Sequence, residues 1–303
     1  MKILVSGGAG FIGSHLTRAL LDRGHKVTIV DAFVNYAGGD FYESFDYRKK
    51  LIKGAKLFKT RASDKKVWGS GYEVVAHLAA LPIIFPKKGD FYKENILETE
   101  KVASFAKKSG TRRFLFMSSI YAQGSYRGIP YSEDMPLEPT DLYGASKGAG
   151  EQMVRFFFFD REWEIVRTAG IVGFGDHNRR VFQLIVEKHP GLPQLTLTRG
   201  VVRIFVYIDD LVDGIVSAIE TKTKNEVFNI AGGVTTLDEF AKEVKKYIPN
   251  LEWKLRDAPK GELIIGPANI SKARKILGFK PKFTLETAVK EYIKKFRKYG
   301  HGA

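Results

Sequence analysis

The chain has 303 residues, 44% of them apolar, enough for a sizeable core in one large domain or in one domain with a smaller lobe. It has no cysteine, which excludes a disulfide framework, a thiolate zinc site and a cysteine nucleophile, and fits a reducing cytoplasm. The formal charge is +15, from 49 basic and 34 acidic residues; the lysines are scattered, with no zinc-finger, RNA-recognition or basic-zipper pattern, so the excess reads as a solvated exterior around a pocket for an anionic substrate rather than as a nucleic-acid surface.

Lys2-Ile3-Leu4-Val5-Ser6 is a short apolar run that predicts a buried strand. A core strand this early is expected to leave no room for a signal peptide, and no apolar run approaches the roughly 20 residues that span a membrane. The turn that follows carries G-x-G-x-x-G at Gly8, Gly10 and Gly13, and G-x-x-G-x-x-G at Gly7, Gly10 and Gly13. Phe11, Ile12, Leu16, Ala19 and Leu20 come next at helical spacing. Glycines at this spacing allow a tight turn, a close approach of backbone N–H groups to a pyrophosphate, and close packing of the helix on the strand. The positive end of the helix then faces the phosphates. A second strand, 26–30, ends in Asp31, 18 residues beyond Gly13, where a carboxylate can take both hydroxyls of a ribose.

An irregular aromatic stretch covers 33–47, a helical segment lies near Lys49, and Leu57-Phe58 is a further apolar piece. Residues 73–80 read as a buried strand running into the small turn Leu78-Ala79-Ala80. A helical pattern over 90–108 is closed by Gly110. Residues 113–119 form another buried strand, ending in Ser118-Ser119. Residues 143–159 are helical and 164–167 form a strand. Beyond Gly170 the elements shorten: a strand at 201–208, a helix opened by Asp209-Asp210 and running to Ile219, a strand at 227–231, and a helix at 237–248. In the basic helix 285–299, the stripe Leu285, Ala288, Val289, Tyr292 and Ile293 is expected to pack on the protein rather than on a membrane surface.

Strands alternating with helices predict an α/β fold with a doubly wound parallel sheet, in which ligands bind outside the carboxyl ends of the strands. Residues 1–169 are expected to form the dinucleotide-binding (Rossmann) domain, with 201–231 packing back on it. Residues 170–303 are expected to form mainly a smaller C-terminal α/β substrate-binding lobe.

Tyr143-Gly144-Ala145-Ser146-Lys147 places a phenol and an ammonium one helical turn apart on the same face. The lysine charge favours the phenolate of a residue that titrates near ~10 when free. Ser118 or Ser119, at a neighbouring strand end, can donate a hydrogen bond to a reacting oxygen.

These motifs together resemble the extended short-chain dehydrogenase/reductases of the NAD-dependent epimerase/dehydratase family. The resemblance runs through Asp31, His77-Leu78-Ala79-Ala80, Asn95, Ser118-Ser119 and Tyr143/Lys147. It continues in Arg203-Ile204-Phe205-Val206-Tyr207-Ile208-Asp209-Asp210, in Asn229-Ile230-Ala231-Gly232-Gly233 and in Ile270 to Pro281. It implies a tightly held NAD, a nucleotide-sugar substrate (a UDP-hexose epimerised at C4) and a homodimer formed through the helices that hold Asn95 and Tyr143; the run Phe156-Phe157-Phe158-Phe159 fits such an interface or ordinary core. It also implies Ser119 as the catalytic hydroxyl, Tyr143 as acid and base, and Lys147 as its partner. NAD would be held by Gly7, Gly10, Phe11, Ile12, Gly13, Asp31, Leu78, Ala79, Ala80, Asn95, Ser118, Tyr143 and Lys147. The substrate would meet Ser119, Tyr143, Arg203 and Lys260. No metal is implied.

Several positions depart from the family pattern. Ile120 and Tyr121 stand where the dehydratase and decarboxylase branches carry acids, which argues against elimination chemistry. Gln123 replaces a tyrosine, Arg61 an acid near the adenine, Gly170 an asparagine that meets the substrate, and Lys260 a phosphate-binding arginine. Two alternatives stay open. One is a ketoreductase or small-alcohol dehydrogenase with the same centre, and the other is a non-catalytic NAD-sensing or nucleic-acid-binding protein on the same fold.

Overall fold

The computed structural model describes residues 1–34, 44–83, 90–125, 128–176, 180–187, 195–259 and 265–300. In chain order the first half comprises β1 (Lys2–Ser6), α1 (Phe11–Asp22), β2 (Lys26–Asp31), α2 (Phe45–Leu51), β3 (Lys56–Lys59), β4 (Val74–His77), α3 (Glu98–Lys108), β5 (Arg113–Met117), α4 (Leu142–Phe157) and β6 (Glu162–Arg167). The second half comprises β7 (Ile171–Val172), α5 (Val181–Glu187), β8 (Leu195–Thr198), β9 (Val202–Tyr207), α6 (Ile208–Glu220), β10 (Glu226–Asn229), β11 (Gly233–Thr236), α7 (Leu237–Lys245), β12 (Trp253–Arg256), α8 (Ser271–Leu277) and α9 (Leu285–Tyr299).

The central sheet has the order β10-β6-β5-β4-β1-β2-β3, and every pairing in it is parallel. The chain winds outward from β1 through β2 to β3. It then returns to β4 and winds the other way through β5 and β6, with β10 completing the edge. The winding reverses between β1 and β4, and a crevice at their carboxyl ends is the expected ligand site of such a sheet.

Apart from the edge strand β3, which is largely exposed, the strands are buried on both faces, so their side chains alternate between two cores. Ile3, Val5, Ile29, Ala76, Leu115 and Val166 join one apolar cluster with Leu16 and Leu20 of α1 and Ile215 and Ile219 of α6. Leu4, Val30, Val75, Phe114, Phe116 and Ile165 join the other with Val102 and Ala106 of α3 and Val154 of α4. The first cluster also takes in Phe182, Phe240, Val289 and Ile293. One continuous core therefore links the main sheet to α5, α7 and α9. Ala288, Val289, Tyr292 and Ile293 of α9 are buried, as their spacing predicts.

Two small sheets accompany the large one. β9 lies between β7, its parallel partner, and β11, its antiparallel partner; β8 pairs with β12 in parallel. The predicted helix over 90–108 opens instead with a π-helical stretch, Tyr92–Leu97, before α3 begins. In this wider turn the Thr99 hydroxyl bonds the Asn95 carbonyl at 2.6 Å.

Candidate active site

β1 ends at Ser6, and Gly7 turns the chain with φ +70°, donating its N–H to the Val30 carbonyl at 2.8 Å. The N–H of Gly10 bonds the Gly7 carbonyl at 3.1 Å. A Cβ built on Gly13 would overlap that same carbonyl oxygen, so only glycine lets α1 start so close to the strand. Gly10 caps α1 with no side-chain hydrogen bond, and residues 10–13 line a cavity of about 630 Å³. At the end of β2, the Asp31 carboxylate accepts N–H bonds from Ala9 at 3.0 Å and Phe33 at 2.8 Å. Burial pushes its pKa above the usual aspartate value, against the pull of those N–H bonds and of Arg48. Leu78, Ala79 and Ala80 line the same cavity, held by bonds from Leu78 N to the Ser6 carbonyl (3.1 Å) and Ala79 N to Ser6 Oγ (3.3 Å). A helix end without a side-chain cap, a turn with no room for a Cβ and a carboxylate on the next strand fit a dinucleotide.

The cavity continues past Ser118, Ser119, Tyr143 and Lys147 and takes in Arg180, Thr198, Arg203 and Arg256. α4 brings Tyr143 here because the Asp141 carboxylate caps its first turn through Gly144 N, 2.8 Å. One turn later Lys147 is buried. Its Nζ donates to the Met117 carbonyl at 2.9 Å and lies 5.9 Å from the Tyr143 ring centroid. Ser119 Oγ accepts the Tyr121 N–H at 3.3 Å, lies 3.3 Å from the Thr168 carbonyl, and shares a hydrogen bond with Tyr143.

The electrostatics differ from the expectation that the phenol would be acidified. Burial pushes Tyr143 up to about 12; the bond to Ser119 and the charge of Arg180 pull it back, while Tyr121 and Asp141 add to the rise. Burial likewise lowers Lys147 to about 8, against the opposing charge of Glu151. At each group desolvation outweighs what favours the charged form, Ser119 and Arg180 at the phenol and Glu151 at the ammonium.

Ser118 lines the cavity, yet its Oγ donates to Glu151 at 2.6 Å. Glu151 in turn holds Arg167 through two hydrogen bonds, 2.8 and 2.7 Å, in full burial. The sequence reading missed this pair, although Glu151 stands four residues beyond Lys147, where a same-face partner is found. Asn95 is not among the residues that line the cavity. Its amide donates to the Leu81 carbonyl (3.1 Å) and Ser146 Oγ (2.9 Å), and its oxygen accepts the Leu81 N–H at 2.6 Å. Since Ser146 also bonds the Tyr143 carbonyl at 2.7 Å, Asn95 braces the wall that carries Tyr143.

Arg203 lines the cavity; Lys260 lies outside the described residues. Arg256, on a strand of only four residues, and Arg180 were not singled out as site residues. Arg180 Nε donates to Asp176 at 2.6 Å, and its guanidinium lies 5.6 Å from the Phe11 ring centroid. Gly170 has φ +58°, and a Cβ there would overlap the Ile204 carbonyl oxygen. The asparagine of the family pattern therefore has no room at this position. Arg61 meets Glu94 instead of standing alone, at 2.7 and 3.0 Å.

A sequence model described as the NAD dependent epimerase/dehydratase family matches residues 3–231. A UDP-glucose 4-epimerase of Corynebacterium glutamicum is 27% identical, over 96% of this chain and 94% of that one. A Bacillus cereus UDP-glucuronic acid 4-epimerase, solved with UDP-glucuronic acid and NAD, superposes with a TM-score of 0.88 at 27% identity, covering 98% of this chain and 99% of that one. A Thermotoga maritima UDP-glucose 4-epimerase, solved with UDP-glucose, gives 0.85 at 28% identity over the same shares.

Proposed function

Since the chain belongs to the NAD-dependent epimerase/dehydratase family, as an NAD-dependent epimerase of the extended short-chain dehydrogenase/reductase type, we propose that it epimerises a UDP-hexose at C4, interconverting UDP-glucose and UDP-galactose. The observation that carries this reading is the convergence of Ser119, Tyr143 and Lys147 on one cavity that also holds the glycine turn, Asp31 and Arg203. Ile120 and Tyr121, where an eliminating relative needs acids, add support.

Residues 10–13, Asp31, Ala79 and Ala80, which line the cavity, would hold NAD. When bound, NAD supplies a reversible two-electron oxidation at the sugar carbon, undone within the same turnover. Tyr143 Oη takes the proton of the C4 hydroxyl and later gives it back to the same oxygen, once the keto sugar has turned its other face to the cofactor. Ser119 Oγ donates to the same oxygen and holds it against Tyr143. Lys147 brings a positive charge within 5.9 Å of the Tyr143 ring centroid, and a positive nicotinamide ring would draw the phenol down from its raised value. Arg203 and Arg256 place positive charge where a diphosphate would lie. Residues 170–303 contribute most of the substrate-facing lobe.

Two copies would pair through the layer of α3 and α4, where Tyr92, Leu142, Phe156 and Phe159 leave large apolar side chains exposed. A monomeric mass by light scattering would reject that pairing.

A specific observation favours a second reading. Arg180 brings a positive charge to bear on Tyr143 from the cavity wall, which suits an acidic sugar such as a uronate. A substrate panel separates the two. Turnover of UDP-galactose well above UDP-glucuronate supports the neutral hexose, the reverse supports the uronate, and turnover of neither rejects both.

A further inference from the structure

We propose that Glu94 sets cofactor choice: by holding Arg61 in a two-point ion pair it withdraws a cation from the adenosine end of the groove, so that the groove takes NAD and refuses the 2′-phosphorylated cofactor. Asp31, at the end of β2, is the register partner of Lys59, at the end of β3, and Arg61 lies two residues beyond Lys59. Asp31, Phe33, Arg61, Glu94 and Glu98 all line one cavity. A guanidinium at this place is an apt partner for a ribose phosphate, because its planar fork matches phosphate oxygens. Here that fork is taken. Arg61 NH1 meets Glu94 Oε2 at 2.7 Å, and NH2 meets Oε1 at 3.0 Å.

The surroundings hold the pair in place. Glu98, one turn further along, accepts Ser63 N at 3.0 Å and Ser63 Oγ at 2.8 Å, which fixes the loop that carries Arg61. Glu94 sits on the π-helical stretch Tyr92–Leu97. Arg48, whose charge also reaches Asp31, is buried and donates to Ser44 Oγ (3.1 Å) and the Gly175 carbonyl (3.0 Å). Residues 32–47 contain no Arg or Lys. Lys59 Nζ lies 5.9 Å from the Phe33 ring centroid but Lys59 is not among the lining residues, whereas Arg61 is; Arg61 is the cation whose fork suits a 2′-phosphate, and Glu94 neutralises it while Asp31 repels. The Arg61 side chain is 42% exposed and that of Glu94 13%, so the pair adds little to stability, and removing its charge leaves a foldable chain.

The test is equilibrium binding of NADH and NADPH to the full chain, read by nucleotide fluorescence, for wild type, Glu94→Gln, Arg61→Ala and the double variant. It needs no sugar turnover, so failure of the UDP-hexose reading would leave its outcome standing. In Glu94→Gln the ratio of the NADPH to the NADH dissociation constant is expected to fall by about tenfold or more, and less so at high salt. In the double variant the ratio returns to the wild-type value. The proposal is overturned by an unchanged ratio in Glu94→Gln, by an equal loss of both nucleotides, or by a fall that persists when Arg61 is also removed.

Discussion

Glu164 lies on β6, the strand whose carboxyl end leads to Thr168 and Gly170 in the cavity. It is fully buried. Burial pushes its carboxyl up from 4.5 to about 8; Arg113 and the Glu226 backbone N–H pull it down, and the carboxylates of Glu226 and Glu162 push it up. Below the unfolded value of 4.5 both states hold the proton, and the group costs nothing through ionisation. As pH rises from there to about 8, the unfolded chain releases the proton while the folded chain keeps it. Stability then falls by about 1.4 kcal/mol per pH unit. Above about 8 the deficit is constant, near ~5 kcal/mol. Glu164→Gln keeps the shape and removes the titration, so it gains on wild type by about 3 kcal/mol between pH 4.5 and pH 7. Unfolding of a chain this long carries an entropy of roughly 0.6 kcal/mol per kelvin, which makes that gain about 5 °C in Tm. The assay is the Tm of both proteins at a series of pH values. The difference between them should grow in favour of the variant from acid toward pH 8 and then level off. A difference that does not vary with pH, or one that moves against the variant, would refute the reasoning.

Tyr143→Phe should remove turnover by at least about a hundredfold, the range for a lost acid/base group, while NADH binding by fluorescence stays within about threefold of wild type; near-normal turnover would sink the role given to Tyr143. Lys147 is lowered to about 8 by burial, so its charge is present below that pH and lost above it. The kcat profile should therefore fall as pH rises through about 8. Lys147→Met should be slow at every pH and lack that limb, whereas an alkaline limb surviving in the variant would assign it to another group.

The parts of the fold that were legible in the sequence are those whose burial is written as a long pattern. β1, β2, β4 and β5 are dense apolar runs, β6 carries Ile165-Val166 between charged residues, and the stripe of α9 repeats over more than two turns. The glycine turn was legible for a different reason: its spacing answers to a backbone constraint that Gly13 meets by leaving no Cβ against Gly7. β7, β8, β11 and β12 span two to four residues, too few for an alternation to be told from chance. The site was legible as residue types more than as contacts. Ser119, Tyr143 and Lys147 do meet, but periodicity is silent on which acceptor a hydroxyl chooses. Ser118 turns to Glu151 and Asn95 to Leu81 and Ser146 for that reason. Arg61 could be read as a departure, while its partner, 33 residues away, could not be named. The upward push on Tyr143 was also hidden, because a motif displays the charge beside the phenol and not the water it loses.

On the proposed chemistry the chain inverts a sugar carbon by oxidising and re-reducing it in place. The most direct measurement is proton NMR of UDP-galactose incubated with the protein and NAD in heavy water, with NADH absorbance followed in the same tube. Epimerisation in place gives UDP-glucose that keeps its hydrogen at C4, with no NADH accumulating. NADH rising in step with product, or deuterium at C4 of the UDP-glucose, would contradict it.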